Sequence, residues 1–394
     1  MKRAGTDGKP AVSPLHDPRW RSVVYQALLC IVIVALVYSA IDNAAQNLQK
    51  ARIASGFDFW NHTAGFDISQ TLIEYSTAST YGRAFWVGLL NTLLVASLGI
   101  VFATIIGFVI GIARLSSNVL VSKMAGAYVE IIRNLPLLLQ LLFWYNAVLK
   151  ALPELRESLI LPGGSFLNNR GLFIPRPIAG EELSLVPVLF FVGIVGAIVF
   201  RYWAKRRQEK TGRQAPVALV ATLLILGLPL LAFLLSGVPV KFDYPEKGRF
   251  NIRGGIEVLP EFTALLFGLS IYTAAFIAEA VRAGILAVSH GQTEAAYSLG
   301  LRPGQTLRLV VIPQAMRVIM PPLTNQYLNL TKNSTLAVAI GYPDLVQIFA
   351  GTVLNQTGQA VEVIAITMAV YLAISLMTSL LMNIYNARIA LVER

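Results

Sequence analysis

Residues 289–306 read Ser289-His290-Gly291-Gln292-Thr293-Glu294-Ala295-Ala296-Tyr297-Ser298-Leu299-Gly300-Leu301-Arg302-Pro303-Gly304-Gln305-Thr306, a polar stretch set between two long apolar ones. Ser289 or Thr293 can cap a short helix, and Glu294 is expected in its first turn, where the helix dipole favours a carboxylate. Gly300 falls where a helix of two turns needs a left-handed residue just past its end. Pro303 can then open a second short helix, because its missing N–H costs nothing at the first position. Helix, glycine corner and helix together predict a rigid knob on a membrane surface, a shape suited to docking.

The flanking sequence supplies the membrane. The chain is 55% hydrophobic and 13% charged, whereas soluble domains carry about 25% charge. Apolar runs are expected to span at 22–40, 84–113, 122–149, 185–200, 215–236, 260–288, 314–340 and 363–387. The fold class is therefore an all-α polytopic membrane protein of about eight transmembrane helices, since roughly 20 apolar residues cross the hydrocarbon. Residues 1–21 read as a polar, basic, disordered cytoplasmic tail. The full length of the 22–40 run favours an uncleaved span over a signal peptide.

Basic residues set the orientation. With the N-terminus inside, the segments facing the cytoplasm hold 18 Lys and Arg and 5 acids; the much longer outer segments hold 10 bases and 12 acids. The loop Arg201–Arg213 alone carries six bases. The same count puts the Glu294 stretch and both termini in the cytoplasm. It also explains the net charge of +11 without nucleic acid.

Glu294-Ala295-Ala296, with Gly300 six residues on and Ile312-Pro313 beyond, resembles the EAA loop of ABC-importer permeases. The form Gly291-Gln292-Thr293-Glu294-Ala295-Ala296 is similar to the polar amino-acid (histidine/glutamine-type) branch. Residues 63–73 leading into Gly88-Leu89-Leu90-Asn91-Thr92 are similar to the larger permease of general L-amino-acid importers. The resemblance covers roughly 81–146 and 255–394. It implies that 289–313 is a coupling loop entering a separate ABC ATPase subunit, with Gly291, Thr293, Glu294, Ala295, Ala296, Gly300 and Pro313 as coupling residues. It implies further partners: a second homologous permease (a heterodimer, or another copy as a homodimer), a periplasmic amino-acid-binding protein and an amino-acid substrate. The location implied is the bacterial inner membrane. The expected division is tail 1–21, an extra first span with a periplasmic segment over 22–83, core over 84–149, an insertion with two extra spans over 150–254, and core again over 255–394.

Two charged pairs lie inside expected spans, about ten residues from the cytoplasmic ends: Glu130 with Arg133, and Glu279 with Arg282. A spacing of three puts each pair on one helical face. A charge facing lipid costs at least ~2.5 kcal/mol, so all four are expected to face the bundle interior. They either line a path for a zwitterionic solute or tie two helices together, Glu130 with Arg282 and Arg133 with Glu279. Asn325, Asn329, Lys332 and Thr335 form a polar run beyond Pro321-Pro322, where a helix break is expected. Broken helices mark solute sites in transporters, and Asn329-Leu-Thr-Lys332-Asn-Ser-Thr335-Leu resembles the permease family's own segment there. Lys332 can meet a solute carboxylate, snorkel, or pair with Glu279. Asn91, Thr92 and Gln140 more often bond a neighbouring helix, and Gly99, Gly107 and Gly111 read as close helix contacts.

No phosphate-binding Gly-x-x-x-x-Gly-Lys-(Ser/Thr) loop occurs, so ATP-Mg belongs on a partner and this chain needs no cofactor. His16, His62 and His290 are too scattered for a metal site, and no Gly-x-Ser-x-Gly elbow suggests an enzyme. The alternative is an ion-gradient-driven secondary amino-acid transporter, which should show matching broken segments in two halves. A structural anchor subunit would leave the polar seventh span unexplained.

Overall fold

Small residues four apart on one helix decide how the core closes. The computed structural model describes residues 18–50, 56–179, 185–212, 215–235, 240–248 and 251–389. In α2 (Tyr81–Ala113), Gly99, Ala103, Gly107 and Gly111 are buried along one face. A methyl at Gly107 would stand 2.6 Å from the Cβ of Ile277, and one at Gly111 would stand 2.8 Å from the Ala278 carbonyl. Both neighbours belong to α8 (Pro260–Leu286), so α2 and α8 cross at backbone contact, as small residues at four-residue spacing permit in membranes. The close contacts expected of these glycines are present. α11 (Ile312–Asn333) lies against α8 and α13 (Ala360–Ile389). The core between them gathers Val95, Ala103, Leu265, Ile277, Ile319 and Leu330.

Among the described residues, six helices are long and apolar enough to cross a membrane: Arg21–Ala40 within α1 (Pro18–Lys50), α2, Val186–Thr211 within α5 (Leu185–Thr211), Val217–Leu234, α8, and Ala360–Ala387 within α13. A seventh is the pair α3 (Val119–Asn134) and α4 (Leu137–Leu142), the latter continuing as a π-helical stretch to Leu149, bent by 104°. The remaining expected span, 314–340, is α11 followed by a 3-10 stretch, Ser334–Ile340. It is long enough but too polar to qualify on apolarity. The tail expected over 1–21 lies outside the described residues as far as 17.

The helix break expected at Pro321-Pro322 is absent; both prolines sit inside α11. They are on its exposed face, while Ile319, Met320, Leu323 and Leu330 pack inward. The buried face therefore carries the helix past the two missing donors, and the α-helix ends only at Asn333. The sharp break is instead at Leu135-Pro136. Leu135 is extended, as the residue before a proline prefers. Gln140 Nε2 donates to the carbonyls of Ile132 (2.9 Å) and Leu135 (3.0 Å), satisfying acceptors freed at the bend.

The segment between α4 and α8 carries strands that the sequence reading did not include. β1 (Leu159–Leu161), β2 (Ser165–Asn168), β3 (Gly171–Ile174) and β8 (Ile256–Val258) form an antiparallel sheet in the order β1-β2-β3-β8. β4 (Arg176–Ala179) pairs with β5 (Val240–Asp243), and β6 (Glu246–Lys247) with β7 (Ile252–Arg253). Between β4 and β5, α5 packs on α6 (Val217–Thr222), the π-helical turn Leu223–Gly227 and α7 (Leu228–Leu235), as a helical hairpin.

Candidate functional site, a helical foot and the charged cavity behind it

The foot is two short helices at a fixed corner. α9 (His290–Ser298) ends at Gly300, whose φ of +76° is the left-handed value that glycine adopts without a Cβ penalty. The Gly300 N–H donates to the Tyr297 carbonyl (2.9 Å) and the Leu301 N–H to that of Ala296 (3.1 Å), closing a Schellman motif. α10 (Pro303–Thr306) then begins on Pro303 and runs through a π-helical turn, Leu307–Val311, into α11. Gln305 Oε1 accepts from the Arg302 N–H at 3.1 Å. Gln314 Nε2 donates to Gln292 Oε1 (3.2 Å), tying α9 to the start of α11. The glycine corner and the proline start are as the sequence predicts.

Two details of the foot differ. Ser289 occupies the N-cap position but makes no side-chain capping bond. Glu294 is the fifth residue of α9, not in its first turn, because the helix starts at His290; its Oε1 lies 3.0 Å from His290 Nδ1. Ala296 is the one buried residue of α9. Gly291, Glu294, Ala295 and Pro313 are exposed and Thr293 is half-buried. Leu299 is 81% exposed and Tyr297 49% exposed, so the foot presents apolar surface on its outer side.

Behind the foot, α8 leads back to Glu279 and Arg282. Glu279 pairs with Arg282 Nη2 at 2.7 Å and with Arg114 at the end of α2. A cavity of 370 Å³ opens there, lined by Arg114, Glu130, Arg133, Asn134, Phe276 and Glu279 among others. The guanidinium of Arg133 sits 5.0 Å from the centre of the Phe276 ring, a favourable cation–π geometry. The cross-pairs Glu130–Arg282 and Arg133–Glu279 do not form. Arg114 takes the place assigned to Arg133, because the tight α2–α8 crossing brings the end of α2 against Glu279. Glu130 and Arg133 are exposed on the surface of this chain, not inside its own bundle. Among the described residues neither makes an ion pair.

The polar run of α11 stands elsewhere. Asn325, Asn329 and Lys332 recur at helical spacing on its exposed face. Lys332 does not reach Glu279, and Thr335 Oγ1 donates to the Lys332 carbonyl at 2.8 Å. None of the four lines the charged cavity. Asn91 Nδ2 donates to the carbonyls of Gln70 and Pro343, both at 2.9 Å, and Thr92 Oγ1 accepts from the Leu345 N–H at 3.0 Å; both tie α2 to other segments. Sequence reasoning missed Arg114. Its signal was a lone base closing an otherwise apolar span.

A multi-pass bundle with charged groups around a cavity between its helices and a stiff foot between two core helices is the build of a transport permease. A family model described as binding-protein-dependent transport system inner membrane component matches residues 202–391. The chain is 53% identical over 382 residues to the general L-amino acid transport system permease protein AapQ of Rhizobium johnstonii, covering 97% of this chain and 95% of that one. It is 43% identical over 411 residues to the glutamate/glutamine/aspartate/asparagine transport system permease protein BztB of Rhodobacter capsulatus, covering 96% of each. The chain belongs to the binding-protein-dependent inner membrane components, the permease subunits of ABC importers. It is thus a multi-pass inner-membrane protein and a transport component in a family that works with ATPase and binding-protein partners.

Proposed function

We propose that this permease carries amino acids inward and couples their passage to ATP hydrolysis on a separate subunit through the α9–α10 foot. The observation that carries the reading is the foot itself: a two-helix corner locked by Gly300, tied to both α8 and α11, with Leu299 and Tyr297 bare. An apolar surface of that kind marks a docking site. An ATPase closing beneath the foot would push α8, and with it Glu279 and the cavity wall. Exposed Asn325, Asn329 and Lys332 at membrane depth favour a second permease over lipid as their neighbour. With the N-terminus cytoplasmic, the foot stands on the side where ATP is.

The cavity fits the substrate class. Arg133 and Glu130 are a cation and an anion three residues apart with no ion-pair partner among the described residues, matched to the carboxylate and ammonium of an amino acid. Arg114 and Arg282 already hold Glu279, which leaves it the role of fixing the wall. The test is uptake by the complete complex in proteoliposomes, with Arg133→Gln and Glu130→Gln each checked for assembly. Expected is a fall in uptake of about tenfold or more for each, the loss of one charge-assisted contact. Assembled variants with unchanged uptake would leave the pair without a solute role. Uptake driven by an ion gradient with no ATPase present would overturn the coupling.

A further inference from the structure

At the other end of the core a second polar cavity, of 330 Å³, plays no part in the passage described above. Asp58 and His62 line one side, Tyr81 at the start of α2 another, and Gln356 and Gln359 a third. The two glutamines flank the turn between α12 (Leu354–Thr357) and α13. Gln359 is nine-tenths buried, and its Oε1 has no hydrogen-bond partner. Leaving a buried amide oxygen without a donor is unfavourable, so an N–H group entering the cavity would favour a small turn of this side chain toward it. The Tyr81 hydroxyl donates to Gln356 Oε1 at 2.9 Å, which holds Gln356 in place. Asp58 adds an exposed carboxylate.

The charge around this cavity has one sign. The stretches 56–80 and 341–362 carry Asp58, Asp67, Glu74 and Glu362 at the surface and no Lys or Arg, in a chain of net charge +11; Asp344 of the second stretch is buried. Glu362 Oε1 accepts from the Gly56 N–H at 2.6 Å, so the two stretches form one surface. The following base, Arg83, turns its Nε to the Glu74 carbonyl at 2.9 Å. Arg52, before the first stretch, lies outside the described residues. Burial, and then the Asp67 carboxylate, push the Tyr75 phenol up to about 12.

We propose that the cavity between Asp58 and Gln359 is a socket for a lysine or arginine side chain of the extracytoplasmic binding protein as it docks. The inference rests on the importer reading, which places this face outside the cell and supplies that partner. Asp58 meets the cation and Gln359 Oε1 takes one of its N–H groups. The acid surface extends past the cavity to Asp67 and Glu74, more than one free amino acid can use. A protein partner of opposite charge would be steered by it.

The experiment uses the complete complex in nanodiscs with its own liganded binding protein, reading the binding-protein concentration that half-maximally stimulates ATPase activity. Asp58→Lys is expected to raise that concentration about tenfold or more, with basal and maximal rates unchanged and a weaker salt dependence. Asp58→Glu is expected to stay near the unaltered value, and Gln359→Leu to give a smaller rise. An unchanged half-maximal concentration in Asp58→Lys overturns the socket. So does a change confined to binding of free lysine or arginine, which would make the cavity a small-molecule site. If the unaltered complex shows no response to any binding protein, the importer reading fails and the socket with it.

Discussion

Gly300 carries the geometry of the foot on one backbone angle. A β-branched residue at a φ of +76° is strained by about 1 kcal/mol or more, and the α9–α10 corner would open to relieve it. Gly300→Val is therefore expected to abolish co-purification with the ATPase subunit, whereas Gly300→Asn, which tolerates the left-handed region, should largely keep it. Equal retention by both variants would show that the corner is not what the ATPase reads. Gly300 and Pro303 were legible in the sequence because their constraints are local: one residue, one dihedral, one missing donor. The Arg114–Glu279 pair was not, because a partner on another helix depends on the α2–α8 crossing. Glu294 was misplaced by one turn because the start of α9 is not marked by a side-chain cap.

At the level of elements, the two proline sites show why one motif reads differently in different places. Pro321 and Pro322 lie on the outside of a helix whose inner face is packed on α8, and the helix survives. Pro136 follows an extended Leu135, and the chain turns through 104°. The side chain that makes the turn tolerable is Gln140, bonded to two backbone carbonyls. Gln140→Leu should lower stability by about 1–3 kcal/mol, the loss of two hydrogen bonds to half-buried carbonyls. Thermal unfolding in detergent measures it, and an unchanged midpoint would mean water satisfies the carbonyls. Gly107→Val forces atoms onto Ile277 at a distance no pair tolerates. Overpacking of this kind costs about 1–3 kcal/mol and should reduce the yield of monodisperse protein. The span pattern could be read from apolar runs because lipid imposes length. The sheet could not, since strands of two to four residues leave too short an alternation to see.

For the molecule as a whole, the orientation proposed here rests on the distribution of charge between the two sides. With Cys30 replaced by serine, a single cysteine at Gln208 should react with a membrane-impermeant maleimide only after the membrane is opened. One at Glu246 should react from outside in spheroplasts; the reverse pattern would invert the orientation proposed here. The insertion has a property of a different kind. Ile174 of β3 and Ile256 of β8 are directly opposed partners in an antiparallel pair, so the chain leaves this sheet and returns to it at one point. Opposed ends of that sort are the ends a two-residue hairpin turn joins. An Asn-Gly splice in place of 175–255 should therefore excise the whole hairpin cassette and lose only Ile252 from the small sheet cluster, leaving a pared-down permease that still inserts and still holds its ATPase.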